Sequence, residues 1–595
     1  MTEPDPALHR LPGDSIRDIS WGVATLGLAV FGLLWLLNTP YRQVYVPRMD
    51  DVTALADGLL LRPGAHWQDW FTRGHLYFFD AYPEWPHHET AFARPAFQFL
   101  IYLAHFVFRD HWTSYLAINY LGIAGVAAVA FAIGRTALGL SAGASAIAAL
   151  LAAASPAVLE SSIWEVGWAS ESLASVLVGC CFLALVARRN LLCLVFLMTA
   201  LLTKETAVWA PFAAALTALL QHELAPAPRR RWLVAVSMLL PFMMWLALRF
   251  AFFGGIGGTY ATAGYAPLSD FLARVGWKLS HVQHLFITQL PPFLEGGGPA
   301  ILNLPIRIGS GLLVLILLAI WVFNDGRVIW SLAIAGIGNR KWPTAEPALL
   351  VTVWAVAGLV FYFALTITSA THAALGVMFA WPVVVSAVLR LRSVAFWLGL
   401  PACFVLSVTQ VSHFLVETNL PAGLEHVVHD FRKLAAMNSS LRQVPAEIQQ
   451  VYVISAEGLV PANPDDIQGF LGMKAELIRL VDMTWSCSDK EIAVSLDRES
   501  VGGVVTLSMA LPACARFEFF YSGVDSTFLV DNRIRRSDTI TYELPEAAIV
   551  DRAGLLNPEL EPGRRMIAHI RPRRRSRFIV EHGGPDGGLA WFDIP

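Results

Sequence analysis

The run SLASVLVGCCFLALVARRNLLCLVFLMTALLTKETAVWAPFAAALTALL, residues 172–220, decides the fold. Three apolar windows, 172–187, 190–203 and 206–221, are interrupted only at Arg188–Arg189 and at Lys204–Glu205. Charges confined to junctions between apolar stretches are the pattern of helices that reverse direction at a membrane surface. A spanning helix needs about 20 mostly apolar residues. These windows are short, and their flanks extend them into the interfacial zone.

The rest of the chain repeats this reading. Further charge-free windows occur at 19–41, 112–134, 136–159, 232–248, 308–324, 347–371, 373–389 and 393–416, which makes eleven crossings in all. Only 15% of the 595 residues are charged and 55% are apolar, with a mean hydropathy of +0.53. A soluble domain averages roughly 25% charged residues. One core cannot hide that much apolar surface, so lipid is the main solvent. A net charge of −3 is too small to argue for nucleic acid or another polyanion as partner, and no nucleic-acid partner is expected. No cleavable secretory signal precedes the first window, which is therefore read as a retained anchor.

Orientation follows from the basic residues of the short loops. With the N-terminus in the cytoplasm, Arg10, Arg17, Arg135, Arg188, Arg189, Arg229, Arg230, Arg231, Arg327, Arg340, Lys341, Arg390 and Arg392 all fall inside. The short outer turns carry Lys204 alone. Three segments then lie outside: 42–111, 253–307 and everything after 416. Within the first, residues 94–108 are apolar, short and aromatic, which suits a helix lying in the interface. The expected organisation is an α-helical polytopic membrane domain over 1–420, followed by an extracytoplasmic domain over 421–595. Segments such as QVYVISAEG, EIAVSLDRES, GVVTLSMAL and TFLVDNR make that tail β-rich and sandwich-like. Cys180, Cys181, Cys193 and Cys403 read as small buried hydrophobes, whereas Cys487 and Cys514 can form a disulfide in an oxidising exterior. The basic run at 571–577 reads as a solvated strand edge in preference to an anionic lipid or glycan contact.

The ionisable residues of the membrane half gather at the outer face. They are Asp50 and Asp51, then Glu160, Glu165 and Glu171, then Lys204 and Glu205, then Arg249 and His372. Transporters place such groups in mid-span, so a solute pathway is disfavoured and chemistry at the outer lipid–water boundary is favoured. A lipid-linked substrate suits such a boundary. Adjacent carboxylates can accept a hydroxyl proton, and nearby cations can neutralise a departing phosphate.

VPRMDD (46–51), FARPAFQFLIYLAHFVF (92–108), SPAVLESSIWEVGWASESLA (155–174), LLTKETAVWAP (201–211) and LALRFAFFGG (246–255) together resemble the GT-C superfamily. These are integral membrane glycosyltransferases that use polyprenyl-phosphate sugars, among them the protein O-mannosyltransferases and the lipid A aminoarabinose transferases. The resemblance covers roughly residues 15–420 and leaves the tail unmatched. It implies a catalytic base at Asp50 or Asp51 and a further acid among Glu160, Glu165 and Glu171. By the same match Lys204, Glu205, Arg249 and Arg94 belong to the donor-phosphate end of the site. The implied reaction passes a sugar from a polyprenyl phosphate to a glycan, lipid or protein acceptor outside a bacterial plasma membrane, with inversion.

Plainer readings exist for each residue. Asp50–Asp51 can be a loop turn, Lys204–Glu205 a local ion pair with a snorkelling lysine, Arg249 an interface anchor and His372 a turn residue. His87, His88 and Glu89 fit no metal signature. A divalent cation held by the acids has no clear motif behind it, and none is required. Without a P-loop or a Rossmann fingerprint, no soluble nucleotide-sugar site is expected. The competing functions are a polymerase or ligase acting on lipid-linked oligosaccharides, and a non-catalytic membrane protein of envelope assembly.

Overall fold

The computed structural model describes residues 16–39, 94–109, 111–159, 166, 169–220, 228–253, 278, 283–286, 347–364 and 370–390 of the membrane half. In the tail it describes 439–441, 443–456, 475–485, 496–501, 504–510, 515–519, 527–534, 539–543, 565–571, 575–581 and 589–594. The windows at 308–324 and 393–416 lie outside the described residues, as do Asp50, Asp51, Glu165, Cys487 and Cys514. The chain divides into two compact units. One holds 1–42, 94–97 and 113–420, and the other 43–93, 98–112 and 421–595.

The described helices of the membrane half are α1 (Ile16–Leu37), α2 (Pro95–Phe108), α3 (Trp112–Thr136), α4 (Ala142–Ala153), α5 (Pro156–Leu159) and α6 (Ala169–Val186). They continue with α7 (Asn190–Thr203), α8 (Ala210–Leu220), α9 (Pro228–Phe253), α10 (Gln283–Phe286), α11 (Pro347–Ala364) and α12 (Ala374–Arg390). Segments Asp18–Leu37, Thr113–Thr136, Ala169–Val186 and Arg231–Ala251 are each long and apolar enough to cross a membrane. Their apolar surface is not consumed by packing. Leu28 and Leu36 of α1 are 72% and 71% exposed, a burden that water would not tolerate and lipid does. The protein is an integral membrane protein.

Hydropathy reads one window imperfectly. The apolar run 136–159 is interrupted: α4 ends at Ala153, and Pro156 begins the separate short α5. Proline suits a first helical turn because it has no N–H to donate there. Ser141 caps α4, its hydroxyl accepting the Ala144 N–H.

Small residues set the helix spacing. A Cβ on Gly358 of α11 would lie 2.7 Å from the Gly376 Cα of α12, and one on Gly376 would lie 2.8 Å from the Leu359 nitrogen. Backbone stands in the way in both cases, so no rotamer change relieves the clash. Gly376→Ala is expected to destabilise by about 1–3 kcal/mol. Thermal unfolding in detergent checks this, and an unchanged midpoint would refute the close crossing. A Cβ at Gly122 of α3 would likewise collide with the Ser172 hydroxyl, and one at Gly125 with Val176. These glycines let α3 lie tightly against the first turns of α6. Behind them sits an aromatic cluster in which Phe182, Trp354 and Phe379 meet with centroids 5.4–5.5 Å apart.

Among its described residues the tail carries two five-stranded sheets. The strands are β1 (Gln450–Ala456), β2 (Glu476–Trp485), β3 (Leu496–Val501), β4 (Val504–Ala510), β5 (Ala515–Phe519), β6 (Thr527–Ile534), β7 (Thr539–Glu543), β8 (Arg565–Arg571), β9 (Ser576–Glu581) and β10 (Leu589–Ile594). One sheet has the order β10-β9-β1-β2-β5 and the other β3-β4-β8-β6-β7. In the first, β1 runs parallel to both β2 and β9. Arg577 of the basic run is claimed by a structural partner. It faces Asp593 across the β9–β10 ladder and donates twice to its carboxylate, at 2.6 and 2.8 Å. Those hydrogen bonds hold the Asp593 carboxyl below its ordinary range. A carboxylate with a lowered folded-state pKa adds stability above its unfolded value of 3.8 that is lost as pH falls through the folded value. Protection factors of residues 576–581 in the full-length protein are therefore expected to drop in strong acid. Asp593→Asn should remove that dependence, and an identical acid profile would count against it.

Candidate functional site

The geometry of the site begins at the α7–α8 junction. Helix α7 ends at Thr203, and Lys204 adopts an extended conformation with its N–H still bonded to the Ala200 carbonyl. A short 3₁₀ turn, Glu205–Trp209, then leads into α8. This extended break turns two adjacent charged side chains inward: Lys204 and Glu205 are only 3% and 8% exposed. A lysine merely snorkelling to water would stay far more open than this.

Lys204 meets Glu171, which stands in the first turn of α6 and is 1% exposed. The Lys204 Nζ lies 3.4 Å from Glu171 Oε1. The same oxygen is 2.6 Å from His372 Nδ1, and Oε2 accepts the Thr206 hydroxyl at 2.7 Å. The partially positive N-terminus of α6 favours a carboxylate there. His372 belongs to a 3₁₀ turn, Ala370–Ala373, that immediately precedes α12. Side chains from two other segments thus converge on one buried acid.

Glu205 anchors the other half. Arg94, just ahead of α2, places its Nε 3.2 Å from both Glu205 carboxylate oxygens. Glu205 also lies in the field of Lys204 and Arg249. Arg249, near the end of α9, is 2% exposed and has its guanidinium 4.9 Å from the Trp245 ring centroid. Of the residues expected in the site, the structure therefore brings together Glu171, Lys204, Glu205 and Arg94, with Arg249 beside them. Asp50, Asp51, Glu160 and Glu165 fall outside the described residues.

Among the described residues the cluster brings three basic side chains, Arg94, Lys204 and Arg249, to two carboxylates. Among the described residues no group of three or more His, Cys, Asp or Glu side chains could hold a metal ion.

On sequence grounds His372 is a turn residue. It is in the turn, and it also bonds Glu171. Thr206 carries no signal of its own in the sequence beyond standing two positions past Lys204. Lys278 carries none either. This lysine of the 253–307 segment is 1% exposed, donates to the Tyr362 carbonyl at 2.6 Å and lies 4.5 Å from that residue's ring centroid. The last-turn carbonyls of α11 lack helical partners, so Lys278 caps that helix.

No protein-family model and no curated protein matches this sequence. Solved structures do. The crystal structure of ArnT from Cupriavidus metallidurans bound to undecaprenyl phosphate is 15% identical, with a TM-score of 0.38, covering 77% of this chain and 86% of that one. The same protein in the apo state is 14% identical, with a TM-score of 0.41 and coverage of 78% and 93%. Identity and TM-score this low transfer no residue's role. Two of the solved structures to which this chain is similar are thus structures of ArnT.

Proposed function

We propose that this protein is an integral membrane glycosyltransferase of the GT-C type. It passes a sugar from a polyprenyl-phosphate donor to an acceptor at the extracytoplasmic face. The buried, cation-rich cluster of Arg94, Glu171, Lys204, Glu205 and Arg249 carries this reading. A phosphodiester is an anion, a group that arginine and lysine side chains bind well. The polyprenyl chain of such a donor stays in lipid, beside the apolar helix surfaces, while its phosphate reaches the charged ends of α6, α7 and α9.

In this mechanism Asp50 or Asp51 takes the proton of the acceptor hydroxyl as its oxygen attacks the anomeric carbon. The bond from that carbon to the phosphate oxygen breaks, and the electron pair leaves with polyprenyl phosphate. Attack opposite the leaving group inverts the centre. Lys204 and Arg249 stabilise the charge that builds on the phosphate, and Arg94 assists. Glu171 is fully engaged by Lys204, His372 and Thr206, so its part is to hold the cation in place and not to abstract the proton. The eleven-helix topology, the cytoplasmic N-terminus, the bacterial inner membrane and the exported tail domain, with Cys487 and Cys514 paired, complete the proposal.

The test uses the full-length protein in liposomes with a radiolabelled polyprenyl-phosphate sugar and an envelope fraction as acceptor source. Transfer of label, with release of polyprenyl phosphate, is the expected outcome. A donor that stays intact with every acceptor fraction would overturn the proposal.

A further inference from the structure

We propose that Glu205 is a specificity-determining residue whose carboxylate accepts a hydrogen bond from the donor sugar, at the hydroxyl next to the anomeric carbon. The inference rests on the donor site proposed above and adds to it a contact with the sugar. Among the described residues one side chain donates to Glu205, and it does so sparingly. The single Nε–H of Arg94 is divided between both carboxylate oxygens, at 3.2 Å each, the long end of the N–H···O range. An ionised carboxylate has about four lone-pair sites, so Glu205 keeps acceptor capacity. Glu171 differs: its two oxygens receive His372 at 2.6 Å and Thr206 at 2.7 Å, with Lys204 at 3.4 Å.

Glu205 also stands where the cluster opens. Side-chain exposure is 1% for Glu171 and 4% for Lys204, against 9% for Glu205 and 17% for Arg94. A ligand that reaches these groups therefore meets the Arg94–Glu205 pair first. A carboxylate repels an ionised phosphate, so the group it receives is one that carries a polar hydrogen. In the donor reading the phosphate lies among the cations, one of which is held against Glu205. The sugar carbon bonded to the anomeric centre carries the hydroxyl closest to that phosphate. Anion and hydroxyl thus stand side by side on the donor, as guanidinium and carboxylate do on the protein. Glu205 stays ionised, as its pairing with Arg94 requires, and takes no proton from the sugar.

The test uses the full-length wild type, Glu205→Gln and Glu205→Ala in nanodiscs. Binding is measured for undecaprenyl phosphate and for its glucosyl, mannosyl and 2-deoxyglucosyl derivatives, with thermal unfolding of each protein alongside. Loss of one hydrogen bond to a charged group corresponds to about a tenfold weakening. The wild type is therefore expected to bind the glucosyl or the mannosyl lipid about tenfold more tightly than the 2-deoxy lipid. Glu205→Ala should bring that ratio to about one, and Glu205→Gln, which keeps a neutral acceptor, to about threefold. Undecaprenyl phosphate itself should bind both variants no less tightly, because a carboxylate among cations opposes an anion. A residue that merely holds Arg94 in place would instead lower the affinity for every lipid by one factor, and that result would overturn the assignment. A wild type that does not discriminate against the 2-deoxy lipid would overturn it too. If Glu205→Ala fails to fold, the comparison of wild type with Glu205→Gln decides, and an unchanged ratio there refutes the contact. Failure of the wild type itself to bind undecaprenyl phosphate would overturn the donor-site reading, a result distinct from these.

Discussion

With Asp50 and Asp51 both changed to Asn, sugar transfer is expected to fall about a thousandfold while the donor still binds. A positioned general base contributes about 10²–10⁴-fold, and an amide cannot take its place. Single replacements identify the base: the one that matches the double variant carries the proton, and the other should lose far less. The buried acids at Glu171 and Glu205 are both committed to cations, so neither is free to substitute. Rates are to be read with donor and acceptor saturating, so that the change lies in kcat. Transfer at the wild-type rate in all three variants would remove both aspartates from the mechanism.

Changing Lys204 to Ala is expected to have the second large effect, through two routes. The side chain is 3% exposed and faces two carboxylates. Its removal breaks a buried ion pair, which costs about 3–5 kcal/mol when one charge is left behind. His372 and Thr206 still donate to Glu171, which places the loss toward the lower end of that range. Independently, the donor phosphate loses a charged hydrogen bond worth about 1.5–3 kcal/mol, a tenfold to hundredfold weakening. Donor dependence of transfer should therefore suffer more than acceptor dependence. The double variant Lys204→Met with Glu171→Gln removes both charges and should recover much of the stability without recovering donor affinity. Donor affinity equal to wild type in either protein would take Lys204 out of the phosphate site.

Hydropathy and charge placement made much of the helical half legible. The window 190–203 coincides with α7, and 112–134 and 373–389 differ from α3 and α12 by two residues or fewer. Lipid imposes this clarity, because a charge inside a span is too costly to occur by accident. The break at Pro156 was visible only as a proline within an apolar run. Which acid meets which cation was not legible, because such pairings depend on how helices cross. Glu171 and Lys204 are far apart in sequence and meet because α6 and α7 fold back on each other. His372 comes from still farther away, and nothing around ATHA in the sequence marks it as a partner for Glu171. Lys278 illustrates the opposite case: a lone lysine in a polar loop gives no sign that a helix end awaits it.

The α6–α7 hairpin has a mechanical consequence. Its two helices leave only a three-residue connection, Ala187–Arg189, and Arg188 there takes a left-handed conformation at φ 61°. The closed end is thus stiff, and α7 extends from it for 14 residues, about 21 Å, to the open end where Glu171 faces Lys204. Two tines joined by so short a bridge transmit any change in splay from one tip to the other. Lengthening the bridge by a single residue would rotate one tine against its mate and pull the acid from the amine at the open end. Spacing at the open end of the hairpin is thereby set by the shortness of the turn that closes it.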